Sequence, residues 1–200
     1  AAARGRDEAR RRLGAALDRP MVLVMGGGSG VGPLAELAGR LANLPARPQV
    51  WVVCGTNEKL RREVESLPAA TTGDLRVLGF TGDVDVLLEA ADVLVSKAGG
   101  LTCSEALVKQ TPMVVFKPTP GQEVRNARFL EAAGAAVHAD SVEAVAVAVA
   151  RWIAEPATRE RARAAARGLA HPHAAETIAR AVLGEIGALV PGQRVGSAGR

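Results

Sequence analysis

Short apolar runs recur along this chain, with amphipathic stretches between them. MVLVM at Met21–Met25, VWVVC at Val50–Cys54, a run over Leu75–Gly79, DVLVS at Asp92–Ser96, MVVF at Met113–Phe116 and a weaker AAVHA at Ala135–Ala139 are short and apolar enough to be buried strands. The stretches between them predict helices from Pro33 to about Asn43, over Glu58–Ser66 with Asn57 as N-cap, and over Asp83–Ala91 with Asp83 as cap. Further helices are expected over Leu101–Lys109, from Gln122 to Gly134, from a Ser141 cap through Glu155, from Pro156 to about Leu169, and over Ala174–Leu189. A helix over Asp7–Leu17 is expected ahead of Pro20, and Leu67–Asp74 reads as a loop. This alternation gives an α/β fold, a doubly wound parallel sheet of about six strands. Ligands of such sheets bind beyond the carboxyl ends of the strands, near the point where strand order reverses. The loops after Met25, Gly79, Ser96 and Phe116 fall at that edge.

Composition narrows the class. The 200 residues suit one large domain, and 48% hydrophobic content supports a full core. No apolar run approaches the roughly 18 residues of a membrane span. Three Phe, two Trp and no Tyr leave few stacking platforms, which argues against RNA or DNA as partner despite a net charge of +4. Much of the positive charge lies in Arg4–Arg12 and Arg151–Arg167. These runs read as solvated helix faces, with attraction to anionic lipid headgroups as the alternative. Cys54 and Cys103 form no CxxC and have no His cluster beside them, so they read as reduced packing residues. His171 and His173 flank Pro172 at a helix junction and His138 sits in the weak strand, none with metal-ligand spacing. No metal site is expected. The Arg-rich start lacks the apolar core of a secretory signal, which leaves a cut organelle precursor open. No internal repeat is visible.

The chemistry concentrates in Asp92–Asn126. Ala98-Gly99-Gly100 is a turn that admits close backbone approach. It opens onto a helix whose first N–H groups lack internal partners, an arrangement suited to an anion such as phosphate. Glu105 lies one turn further on, placed to accept from a pair of sugar hydroxyls. The stiff loop Lys117-Pro118-Thr119-Pro120-Gly121-Gln122-Glu123 offers an amide and a carboxylate, natural partners of vicinal hydroxyls. A second glycine-rich segment, Gly26-Gly27-Gly28-Ser29-Gly30-Val31-Gly32-Pro33, follows the first strand. No Lys-Ser/Thr closes it, so it is no P-loop; it is a tight turn or a phosphate contact.

The motif Lys97-Ala98-Gly99-Gly100-Leu101-Thr102-x-Ser104-Glu105-Ala106, followed by Lys117-Pro118-x-Pro120-Gly121-Gln122-Glu123-x-x-Asn126, resembles the donor-binding half of the lipid glycosyltransferases of family 28. These are the processive diacylglycerol glucosyltransferases and the monogalactosyldiacylglycerol synthases, with the peptidoglycan N-acetylglucosaminyltransferase more distant. The resemblance runs from about Met21 to about Ile186. It implies a Rossmann-like half of a GT-B fold and an inverting transfer of glucose or galactose from a UDP-sugar to a lipid hydroxyl, without metal or other cofactor. By resemblance, Gly26, Gly27, Gly28, Ser29 and Gly30 wall the pyrophosphate and sugar. Gly99, Gly100, Leu101 and Thr102 meet the departing phosphate, and Lys97 adds positive potential, unless it is only a surface charge. Phe80 holds uracil through its backbone, with ordinary packing as the alternative. Glu105 takes the ribose, Gln122 and Glu123 take the hexose, and Asn126 braces their loop. Position 29 often carries Glu in the galactolipid enzymes; Ser29 departs from that, which bears on sugar choice.

The same resemblance sets the organisation. Residues 1–20 are expected as an interdomain linker, 21–188 as the donor domain and 189–200 as a flexible tail. The acceptor cleft and general base are expected in a preceding N-terminal domain, trimmed here or supplied by another polypeptide. The implied partners are UDP-glucose or UDP-galactose, an acceptor lipid such as diacylglycerol, and a membrane surface. The implied location is cytoplasmic, at the inner face of the plasma membrane, or at the plastid envelope. A sugar-nucleotide epimerase half and a non-catalytic UDP-sugar-binding subunit are the rival readings, and the PGQE segment favours the transferase over the epimerase.

Overall fold

The computed structural model describes residues 2–189 apart from 29 and 31, with the side chains of residues 2–4 and 186–189 left aside. The chain divides into two compact units, Ala1–Ala170 and His171–Arg200. The first holds all six strands: β1 Met21–Met25, β2 Gln49–Val53, β3 Leu75–Leu78, β4 Val93–Ser96, β5 Met113–Phe116 and β6 Ala136–Ala139. Every pairing is parallel and the spatial order is β3-β2-β1-β4-β5-β6. Strand order therefore reverses between β1 and β4, which puts a ligand crevice beyond Met25 and Ser96.

Alternate residues of each central strand feed opposite faces. Val22 and Val24 join α2 (Leu34–Ala42), α3 (Glu58–Glu65) and α8 (Val142–Ala154) in one core layer. Met21, Leu23 and Met25 join α5 (Val84–Ala90), α6 (Gly100–Val108) and α7 (Gln122–Ala132) in the other. The strands are buried on both sides, which is why they read as unbroken apolar runs rather than alternating ones. The second unit contains α10, Ala174–Leu189, with an Arg180–Glu176 ion pair along it. Of the expected tail 189–200, Leu189 closes α10 and residues 190–200 lie outside the described residues.

Four local expectations change. The first helix, α1, spans Ala2–Leu13 rather than Asp7–Leu17. Gly14 at φ +66° ends it, with Ala15 N–H on the Arg10 carbonyl and Gly14 N–H on that of Arg11, the paired bonds of a Schellman motif. The loop after α3 contains a short helix, α4 (Pro68–Thr71), started by Pro68, whose missing N–H costs nothing there. Asp83 precedes α5 without a side-chain cap, because its carboxylate turns to Arg12 at 2.9 Å. Asn57 and Ser141 do cap, accepting from Leu60 N–H at 3.0 Å and Ala144 N–H at 3.1 Å.

The fourth change concerns the arginine runs. Arg11, Arg12 and Arg161 are exposed as expected, but Arg10 and Arg163 are buried, and Arg6 and Arg159 nearly so. They converge from α1 and α9 (Pro156–Leu169) on Asp92, at the amino edge of the sheet. Asp92 Oδ2 accepts from Arg10 Nη2 at 2.6 Å and from Met21 N–H at 2.9 Å, and Oδ1 accepts from Arg6 Nη1 at 3.2 Å. The segment read as a linker thus places α1 in the first unit, packed against α5. An i, i+4 charge pattern shows which residues share a helix face; it does not show a single carboxylate on a distant strand that draws that face inward.

Candidate functional site

The turn after β4 leaves the amino end of α6 open. Gly99 is the N-cap in an extended conformation (φ −66°, ψ 145°), and having no side chain it offers no capping oxygen. The first intrahelical bond runs from Cys103 N–H to the Gly99 carbonyl at 2.9 Å. The amides of Gly100, Leu101 and Thr102 come before it and have no intrahelical acceptor. Three N–H donors and the positive end of the helix dipole therefore face the crevice. Leu101 stands out at 82% exposed beside them, Thr102 is half-buried, and Glu105 is exposed one turn along. Among the described residues the Glu105 side chain has no hydrogen bond or ion pair, so both its oxygens are available.

The amino end of α7 lies across from this turn. Gln122 Nε2 lies 3.5 Å from where a Cβ on Gly100 would stand, and Glu123 Oε1 lies 3.9 Å from that of Gly99. The loop leading there is fixed twice. Gly121 takes φ +101°, a backbone state that disfavours any side chain, and Glu123 Oε2 accepts from Thr119 N–H at 2.6 Å. Glu123 is thus partly committed to its own loop, while Gln122 is exposed with its amide unengaged among the described residues. Asn126 Nδ2 donates to the Ala98 carbonyl at 2.9 Å, joining α7 to the turn that opens α6.

The glycine-rich loop after β1 forms a neighbouring wall. Gly30 N–H bonds the Gly27 carbonyl at 3.0 Å, and both glycines have positive φ. The loop is pressed onto the β2–α3 connection. A Cβ on Gly30 would collide with the Cys54 carbonyl, and one on Gly55 with the Gly28 carbonyl. Thr56 N–H donates to Gly28 O at 3.0 Å, and Asn57 Nδ2 to Gly30 O at 3.1 Å. Asn57 therefore does two jobs, capping α3 with its oxygen and holding the glycine loop with its nitrogen. The sequence showed only the cap, because an N-cap Asn looks the same whether or not its amide has a second task. Ser29 lies outside the described residues.

Between these walls, Met25, Gly32, Ser96, Lys97, Phe116 and Lys117 line a small recess at the ends of β1, β4 and β5. Ser96 Oγ donates to the Met25 carbonyl at 2.9 Å, which ties the two central strand ends together. Lys97 is half-buried and lines that recess. Phe80 follows β3 at the same edge and is 78% exposed, so packing at a strand end does not account for it.

No thiol nucleophile serves this edge. Burial pushes the Cys103 thiol up to about 11, helped by the nearby Glu123 charge, and burial with Glu65 does the same to Cys54. No cluster of three or more His, Cys, Asp or Glu that could hold a metal occurs among the described residues. No described helix is long and apolar enough to cross a membrane.

Residues 21–178 match the Glycosyltransferase family 28 C-terminal domain. A processive diacylglycerol beta-glucosyltransferase of Bacillus mycoides is 39% identical over 121 residues, covering 60% of this chain and 31% of that protein. Among solved structures, WaaG, a glycosyltransferase involved in lipopolysaccharide biosynthesis, superposes with a TM-score of 0.71 at 18% identity, over 94% of this chain and 51% of that one. Anabaena Alr3699/HepE in complex with UDP and glucose gives 0.69 at 17% identity, over 92% and 52%. The chain spans about a third of the Bacillus mycoides relative's length. The six-stranded parallel sheet is the Rossmann-like half of the GT-B architecture, and the chain belongs to glycosyltransferase family 28 through that family's C-terminal domain.

Proposed function

We propose that this domain holds the donor for an inverting transfer of glucose or galactose from a UDP-sugar to a lipid hydroxyl such as that of diacylglycerol. The observation that carries the reading is the uncapped amino end of α6 at the strand-order reversal, overhung by Gln122 and Glu123 from α7. The diacylglycerol glucosyltransferase relatives support the lipid acceptor, and the Anabaena structure with UDP and glucose supports the nucleotide sugar.

In this reading the pyrophosphate lies against the Gly100, Leu101 and Thr102 amides, and the glycine loop from Gly26 to Gly30 closes its other side. As the anomeric carbon takes on oxocarbenium character, negative charge grows on the departing UDP. Fixed amides and the helix dipole stabilise that charge without reorganising, which is the main electrostatic contribution an enzyme can make. Lys97 adds positive potential from the crevice wall, and no metal is assigned a role. Glu105 accepts from the ribose hydroxyls, Gln122 and the free oxygen of Glu123 read the hexose, and the Phe80 backbone reads uracil. Inverting transfer also needs a base to deprotonate the acceptor. The carboxylates at this edge are assigned to sugar hydroxyls, so we place the base and the acceptor cleft in a preceding domain. A lipid acceptor puts the reaction at a membrane surface, on its cytoplasmic side.

Calorimetric titration with UDP, with and without Mg²⁺, beside Glu105→Ala tests the donor site. The expected result is metal-independent binding that weakens about tenfold or more in the variant, the range for a hydrogen bond to a charged group. Absence of UDP binding by folded protein, both alone and with a preceding domain restored, would sink the reading.

A further inference from the structure

Among the described residues, the amino edge of the sheet carries more buried positive charge than its one buried carboxylate, Asp92, can match. Asp92 is filled by Arg10, Arg6 and the Met21 amide. Arg10 is committed elsewhere as well, since its Nε donates to Ala90 O and its Nη1 reaches the Leu17 and Arg19 carbonyls. Arg159 stands 4.0 Å from Asp92 Oδ1, beyond hydrogen-bond reach, and spends Nη1 on the Trp152 carbonyl. Arg163, only 5% exposed, reaches the Ala91 carbonyl at a long 3.4 Å, and its nearest carboxylate is the exposed Glu160 at 3.5 Å. The Nε–H groups of Arg6, Arg159 and Arg163 are all buried without a hydrogen-bond acceptor.

Buried charge is stable only when paired, and an unsatisfied buried donor calls for an unseen water or ion. A single water could serve one such N–H but would leave the surplus charge in place. We propose that Arg6, Arg159 and Arg163 form a binding site for a phosphate-class oxyanion, either free phosphate or the phosphate of a lipid headgroup. Guanidinium forks match the oxygens of such a group and pair with it strongly. The three arginines come from two helices and surround the amino end of β4, so the anion joins α1 to α9 over the sheet. The burial of Arg163 and its crowding by Arg6 lower it to about 10, a strain that a bound dianion relieves. The site lies about 15 Å from the donor crevice, the length of a strand, and does not rest on the donor reading.

The test titrates the full chain with inorganic phosphate at constant ionic strength, chloride replacing it in the control, by calorimetry and thermal unfolding. Phosphate raises the stability of many proteins without saturating; here the rise should saturate. Arg6→Gln and Arg159→Gln should each weaken phosphate binding about tenfold or more. Arg159→Lys, which keeps the charge and loses the fork, should fall between, and it keeps the test informative if a Gln variant is unfolded. Phosphatidylglycerol vesicles compared with phosphatidylcholine vesicles identify the source. Vesicle binding that needs the same arginines and is displaced by phosphate assigns a headgroup, and vesicle binding indifferent to them assigns the free ion. The proposal fails if phosphate does not saturate on wild-type protein, or if it binds the arginine variants as tightly.

Discussion

Asn126, in the second turn of α7, donates through Nδ2 to the carbonyl of Ala98, the residue just before the Gly99-Gly100 turn, at 2.9 Å. This bond ties the amino ends of α6 and α7 together, so it sets the free α6 amides against the Gln122 and Glu123 overhang. Asn126→Ala should cost about 1 kcal/mol of stability, the ordinary worth of such a bond. Its effect on binding should be uneven. In the proposed donor pose UDP contacts only the α6 side and UDP-glucose spans both helices, so UDP should lose less affinity. Titrating both ligands against the variant measures that difference, and equal losses would mean that Asn126 only supports the fold.

Asp92 makes stability depend on acid. Burial alone would raise its carboxyl, but Arg10, the Met21 amide, Arg159 and Arg6 outweigh burial and hold it below the usual carboxylate range. The folded state therefore releases this proton more readily than the unfolded chain, whose Asp titrates near about 3.9. The stabilisation is fully present above that value and is lost as pH falls through the lowered folded one. Asp92→Asn should cost about 3–5 kcal/mol near pH 7, the range for breaking a buried ion pair from one side. The deficit should shrink as pH falls below the unfolded value and through the lowered folded one, as the wild-type carboxylate takes up its proton. Urea unfolding of both proteins across that range checks it; a deficit that does not change with pH would show that Asp92 acts by packing alone.

These two residues also mark how far the sequence could be read. All six strands and the helices that alternate with them follow from apolar run length and from turn chemistry, because a doubly covered parallel sheet leaves a continuous local signal. The turn that opens α6 and the overhanging loop were legible as motifs, and the strand order places them at one edge. What escaped depends on pairs far apart in the chain. Arg10 meets Asp92 across 82 residues and Asn57 meets Gly30 across 27, and no local pattern encodes either partner. The first helix ended early for a local reason, a left-handed Gly14, which an Ala- and Arg-rich helical pattern concealed.

The contact between the two glycine-bearing loops yields the sharpest contrast. Gly55 sits at φ +59°, and a Cβ there would strike the Gly28 carbonyl. Gly27 sits at φ +75° on the same wall, with open space around its Cβ position. Gly27→Ala should therefore cost only the left-handed penalty, about 1–2 kcal/mol, and leave the loop in place. Gly55→Ala carries that penalty and also pushes Gly28 away, which strains the Thr56–Gly28 and Asn57–Gly30 bonds that shape the wall. It should lose more stability than Gly27→Ala, and its UDP affinity should fall about tenfold further, near 1.4 kcal/mol. Urea unfolding and UDP titration of the pair separate backbone strain from loop position. If the two variants bind UDP alike, the β2–α3 loop does not set the shape of the donor wall, and the glycine loop reaches its conformation by itself.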